Sequence, residues 1–194
     1  MKLIKKITLL LFALVISIIA QQKEDYSKYP GYFNYKEFAQ LKNAESLTEV
    51  YLEEPLLKMV AGMAGNKQEG LGEAIGGLKL VRVNEFRIPK SEITNVESLI
   101  GSMDNSLQSK NWERIIRTNS KNDYTNVYLK KEADDGFVGL TIISLNRLLK
   151  KEDNSDEFGK ATFVNIVGKI DLTTIGKVSA QLKVPGLGDS KKDK

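Results

Sequence analysis

The sequence predicts a single α+β domain, a mostly antiparallel sheet with helices packed on one face. Three observations lead there. Six segments alternate apolar and polar residues or run continuously apolar, as strands do. Three others repeat apolar residues at helical spacing. Their order, βαβα followed by four strands and a helix, suits sequential antiparallel pairing with helices layered on the sheet.

Regular structure is expected over 46–187. Thr48, Val50 and Leu52 alternate with Glu49, Tyr51 and Glu53, which predicts a short strand. Glu54-Pro55 then starts a helix, with proline at a position that needs no N–H and acid at the positive end of the dipole. Leu56, Leu57, Val60, Met63 and Ala64 give it one buried face. The glycine-rich stretch from Asn66 to Gly77 holds at most one helical turn, around Leu71 to Ile75. Leu78 to Ile88 is a strand whose apolar residues keep no single parity, so it is covered on both faces or bulged. Pro89 stops it, and Ser91 caps a helix with Ile93, Val96, Ile100, Met103 and Leu107 along one stripe.

Four consecutive strands follow: Trp112 to Thr118, Tyr124 to Lys130, Phe137 to Leu145 and Ala161 to Val167. Asp135-Gly136 is a hairpin signal between the middle two, and the charged link from Lys150 to Gly159 reads as exposed. Asp171 caps a last helix through Leu182, with Leu172, Ile175, Val178 and Leu182 facing in, before Pro185-Gly186. Residues 188–194 form a charged tail.

The first 20 residues carry the pattern of a cleavable export leader. Lys2, Lys5 and Lys6 precede an apolar run from Ile7 to Ala20, and the polar residues Gln21 to Asp25 follow at once. The cut is expected between Ala20 and Gln21. The run is short of the roughly 20 residues a spanning helix needs, and no cysteine is present for lipid attachment, so no membrane anchor is expected after cleavage. The product is expected in the periplasm or released.

The whole chain has 29 basic and 25 acidic residues. Three of the lysines lie in the leader, so the chain beyond it carries only +1, and a nucleic-acid partner is not expected. Residues 21–45 form an arm dense in aromatics: Tyr26, Tyr29, Tyr32, Phe33, Tyr35 and Phe38 around Pro30-Gly31. Such rings serve as a stacking platform for flat ligands or as packing against the domain, and the second reading is preferred.

The chain contains neither histidine nor cysteine, which removes the commonest general bases, thiol nucleophiles and zinc ligands. Gly70-Leu71-Gly72 with Gly76 lacks the spacing and preceding strand of a dinucleotide fingerprint. Glu53 with Glu54, and Asp134 with Asp135, are the carboxylate pairs to consider. Asp153, Ser155, Asp156 and Glu157 lack the glycine and terminal glutamate of a calcium loop. Asn165 inside a strand and Gly168 at its end are unusual on propensity; they line a small polar pocket at the strand end, or Gly168 is a bulge or bend and Asn165 faces solvent or pairs with backbone, and the second reading is preferred. No catalytic residue, metal site or cofactor is assigned.

Taken in order, YPGYFNY (Tyr29 to Tyr35), VYLEEPLLKMVA (Val50 to Ala61), GLKLVRVN (Gly77 to Asn84), Trp112, FVNIVGKIDL (Phe163 to Leu172) and VPGL (Val184 to Leu187) resemble the exported bacterial family catalogued as domain of unknown function 4252. The resemblance implies a small exported domain and supplies no activity. The expected role is a non-catalytic periplasmic or envelope binding or interaction module, its partner an envelope protein or a small ligand. The alternatives are a carboxylate-dependent envelope hydrolase and a regulatory accessory that senses envelope state.

Overall fold

A computed structural model describes residues 24–35, 44–65, 71–132, 136–150 and 157–170. The leader and its cut site, the final helix, the tail, Asp134, Asp135, Asp153, Ser155 and Asp156 lie outside the described residues.

Six antiparallel strands form one sheet: β1 (Glu45–Glu53), β2 (Leu78–Pro89), β3 (Trp112–Asn119), β4 (Asp123–Glu132), β5 (Gly136–Lys150) and β6 (Glu157–Ile170). All six were expected from the apolar pattern. Their spatial order is β1-β2-β6-β5-β4-β3. The last four strands are the expected meander, and β6 closes the sheet by pairing with β2 as well as β5. The β5–β6 pairing runs on to Lys150 and Glu157, shortening the predicted link.

Among the described residues three α-helices accompany the sheet: α1 (Glu54–Gly65), α2 (Leu71–Gly76) and α3 (Ile93–Ser109). The α+β class holds, but the helices occupy two faces instead of one. Leu57 and Ala61 of α1 and Ile75 of α2 pack with Val81, Val83, Ile142, Val164 and Ile166. Val96, Ile100, Met103 and Leu107 of α3 pack with Phe86, Ile88, Ile143, Leu145 and Phe163. Ile142 and Ile143, like Phe163 and Val164, are sequence neighbours and so point to opposite faces. The cause is the mixed parity of the central strands: β2, β5 and β6 are apolar on both faces, and each face requires a cover.

Two helix details also differ. The buried arc of α1 is Leu57, Val60, Ala61 and Ala64, while Leu56 and Met63, expected inside, are 40% and 65% exposed. The helix carries apolar residues on both arcs, and periodicity alone does not choose between them. Ser91 is not the cap of α3; it sits in a 3-10 turn, Lys90–Glu92, that leads into the helix.

Glycine permits a close backbone crossing between the arm and the sheet. The chain at Gly31 crosses β5 at Gly139, where a β-carbon on Gly31 would collide with the Val138 carbonyl. One on Gly139 would lie 2.5 Å from Gly31 Cα and 2.7 Å from the Trp112 ring. Gly139→Ala is therefore expected to lower stability by about 1–3 kcal/mol. Gly101→Ala in α3, where an added methyl meets nothing within 4 Å, is expected to be neutral or to stabilise by up to about 1 kcal/mol. Thermal denaturation of the two variants checks the pair; equal effects would remove the close-approach explanation.

Candidate functional site

The arm, residues 24–35, lies on the α3 face of the sheet beside the helix. Asp25 caps a 3-10 turn, Tyr26–Lys28, by accepting from the Ser27 amide at 3.0 Å. Tyr26, Phe33 and Tyr35 are buried; Tyr26 packs on Leu80 and Val167, and Tyr35 stacks on Phe163 with centroids 5.3 Å apart. Burial of each ring contributes about 1.5–3 kcal/mol before ordering costs.

Asn165 fixes the register of this docking. It is fully buried in mid-β6, and its side-chain oxygen accepts from the Phe33 amide at 3.0 Å. Its nitrogen donates to the Gly31 carbonyl at 3.0 Å and to Thr141 Oγ1 at 3.1 Å. The side chain thus treats the arm as a neighbouring backbone would. Nearby, Asn84 Oδ1 accepts from the Tyr35 hydroxyl at 2.8 Å and Arg82 Nε at 3.1 Å, while the Arg82 guanidinium lies 4.3 Å from the Tyr35 ring centroid.

Between the arm and the β1–β2 edge this docking leaves a groove of about 570 Å³, within the size range of small-ligand sites. Glu49 and Tyr51 of β1 stand opposite Asn84 and Arg82 of β2 and form its sheet wall with Arg82. Glu24, Asp25, Tyr26 and Tyr32 form its arm wall. Tyr51 meets Tyr26 edge-on at 6.2 Å. Burial, with the charge of Glu53, pushes the Tyr51 hydroxyl up from the ordinary phenol range. The Tyr29 hydroxyl donates to Glu24 at 2.6 Å, and that bond raises its pKa to about 12. Tyr26 and Tyr51, whose hydroxyls are pushed above the ordinary phenol range, line the groove with the side chains of Glu24, Asp25 and Glu49 and one guanidinium, which is committed to Tyr35 and Asn84.

A second polar cluster lies on the same face toward β3 and β4. Asp104 of α3 accepts from the Tyr128 hydroxyl at 2.7 Å and from Arg114 at 2.8 Å. Asn126 donates to the Tyr128 hydroxyl at 2.6 Å and also to Tyr124. Burial pushes the Asp104 carboxyl up, but hydrogen bonds from Tyr128 and Gln108 and the Arg114 charge outweigh it and hold the pKa below the usual range. This cluster braces α3 against the sheet.

The residues singled out from the sequence are scattered. Glu54 is held by Lys58 and Lys79, each at 2.7 Å, and these bonds lower its pKa; it closes the β1–α1 junction. Glu53 ends β1, and Glu157 opens β6. Gly168 has φ +125° and stacks against Leu78 and Lys79, where the β2–β6 register shifts; the bulge reading holds. Asn165 is neither a pocket residue nor solvent-facing, but a backbone mimic. Among the described residues no helix is long and apolar enough to cross a membrane, and no acidic group of three or more could hold a metal ion. Sequence reasoning missed Glu49, Tyr51 and Arg82 as site residues; their only signal was the polar alternate set Glu49, Tyr51 and Glu53 on β1.

Two outcomes follow. Asn165→Leu leaves the Phe33 amide and Gly31 carbonyl unpaired and is expected to cost about 1–3 kcal/mol, with limited proteolysis then cutting first within residues 24–35. Retained arm protection would remove Asn165 from this role. Because the folded pKa of Asp104 is depressed, its stabilisation is complete above the unfolded value near about 3.9 and is lost as pH falls through the folded value. Asp104→Asn should therefore flatten the acid limb of stability against pH, measured by urea unfolding; an unchanged limb would show that other carboxylates govern it.

The sequence model of the family described as "Domain of unknown function (DUF4252)" matches residues 35–178. The chain matches no curated protein and no solved structure. Glu49, Tyr51, Arg82, Asn84, Asp104 and Asn165 lie inside the match, and the arm through Asn34 precedes it. With well over half its length matched, this chain belongs to the DUF4252 family.

Proposed function

We propose that the domain is an exported, non-catalytic binding module of the cell envelope, and that it holds its ligand in the groove between the arm and β1–β2. The observation that carries this reading is the groove itself. One wall is a strand pair fixed in register, and the other is an arm tied down by Asn165 and by the Gly31–Gly139 approach, so the cavity is preformed and binding requires little ordering. Export is supported by the leader pattern of residues 1–20. The non-catalytic role is supported by a residue set without histidine or cysteine and by the engagement of Glu54 with two lysines. The acids of the groove lie on both of its walls, Glu24 and Asp25 on the arm and Glu49 on β1, as suits recognition of a ligand that spans it.

Mass spectrometry of the protein from fractionated cells is expected to find it outside the cytoplasm, beginning at Gln21; a cytoplasmic product that retains the leader would overturn export. In an NMR titration of isotopically labelled mature protein with a small-molecule envelope extract, backbone shifts are expected at Tyr32, Glu49, Tyr51 and Arg82. Tyr51→Ala should weaken them. Shifts confined to α1 or β3 would move the site elsewhere, and turnover of an extract component would replace binding with catalysis.

A further inference from the structure

The groove offers carboxylates and phenol rings to whatever enters it, and that combination selects a chemistry. We infer that it takes an alkylammonium ligand, a linear amine with its charges spaced along a hydrocarbon chain. The inference rests on the groove being the binding site.

Three carboxylates, Glu24, Asp25 and Glu49, border the groove against one guanidinium, Arg82. The guanidinium is already stacked on Tyr35 and bonded to Asn84, Glu24 holds the Tyr29 hydroxyl and Lys28, and Asp25 holds Ser27, so of these charges Glu49 is the one left to meet a ligand, and it favours a cation. Glu49 makes no side-chain hydrogen bond or ion pair among the described residues. Tyr26 lines the groove at 3% exposure, with its hydroxyl closed off from solvent. The acids do not converge as a metal ion requires, whereas charges carried along a flexible chain reach them separately. Tyrosine rings supply faces for the methylenes and for the cation itself. The arm shows the mode in miniature: Lys28 Nζ stands 5.3 Å from the Tyr29 ring centroid and 3.7 Å from Glu24.

The test is NMR titration of the mature protein at low salt with spermidine and, in parallel, with a pentalysine peptide, maltotriose and citrate. Spermidine or pentalysine is expected to shift Glu49, Tyr51 and Asp25, with affinity falling as salt rises. The stronger of the two distinguishes a free polyamine from lysine side chains of a partner. Glu49→Gln should weaken binding about twofold to fivefold, as loss of one exposed ion pair does, and Tyr51→Leu should weaken it while leaving the fold's spectrum intact. Groove shifts with maltotriose or citrate but not with the amines would overturn the ammonium assignment and keep the groove as the site. Silence with the amines while an envelope extract shifts the same residues would do likewise. Silence at the groove with every probe and with the extract would remove both.

Discussion

One transverse row of side chains organises the arm-bearing face of this sheet. Tyr51, Arg82, Asn165, Thr141, Tyr128 and Arg114 are successive cross-strand partners, one from each strand. Every one carries hydrogen-bonding groups, and the same face of the sheet carries Phe86, Ile143, Leu145 and Phe163. Unpaired, the buried members would each cost about 1–3 kcal/mol, so the row demands partners. The arm supplies them at Asn165, through the Gly31 carbonyl and Phe33 amide. Helix α3 supplies them at Tyr128 and Arg114, through Asp104. The row thus decides where arm and helix sit, and the groove is the stretch at its β1–β2 end that the arm overhangs without filling.

The row exists only because β6 enters between β2 and β5. Without that strand, β1–β2 and the β3–β4–β5 meander would share no backbone hydrogen bonds. The pairing joins residues far apart in sequence, and the arm contact is longer still, Phe33 to Asn165. Contacts of this span close late, because loop entropy is lost before they form. Arm and groove are consequently products of complete folding.

Much of the fold was legible in local pattern. Alternating or continuously apolar runs placed all six strands, and the apolar stripe of α3 was read correctly from Val96 to Leu107 because its other faces are polar. The mixed parity of Leu78 to Ile88 already signalled a strand covered on two sides, yet a layer assignment needs to know which other strands share that property and in what order they pair. α1 failed for a related reason. With Leu56, Met59 and Met63 on one arc and Leu57, Val60, Ala61 and Ala64 on the other, burial is chosen by where β1 delivers the helix. The site was less legible than the fold. Asn165 was conspicuous but its role required the arm to be nearby, and Tyr51 and Arg82 acquire meaning only once the register sets them opposite each other.

The aromatic arm resolves into two populations with different physical duties. Phe33 and Tyr35 are plugs: they cover the layer that α3 leaves bare, and Phe33 meets Trp112 edge-on at 6.4 Å. Tyr29 and Tyr32 are only partly buried, packed against the Tyr26 cluster. Tyr26 does both, closing on Leu80 and Val167 with one part of its ring and bordering the groove with another. Phenylalanine would fill the same volume at each of these positions. Tyrosine adds a hydroxyl that burial and nearby carboxylates keep protonated, so the wall presents neutral donors and ring faces beside fixed negative charge. The proposed alkylammonium ligand would meet ring faces and carboxylates there, the residue types concentrated in the arm and on the facing edge of β1.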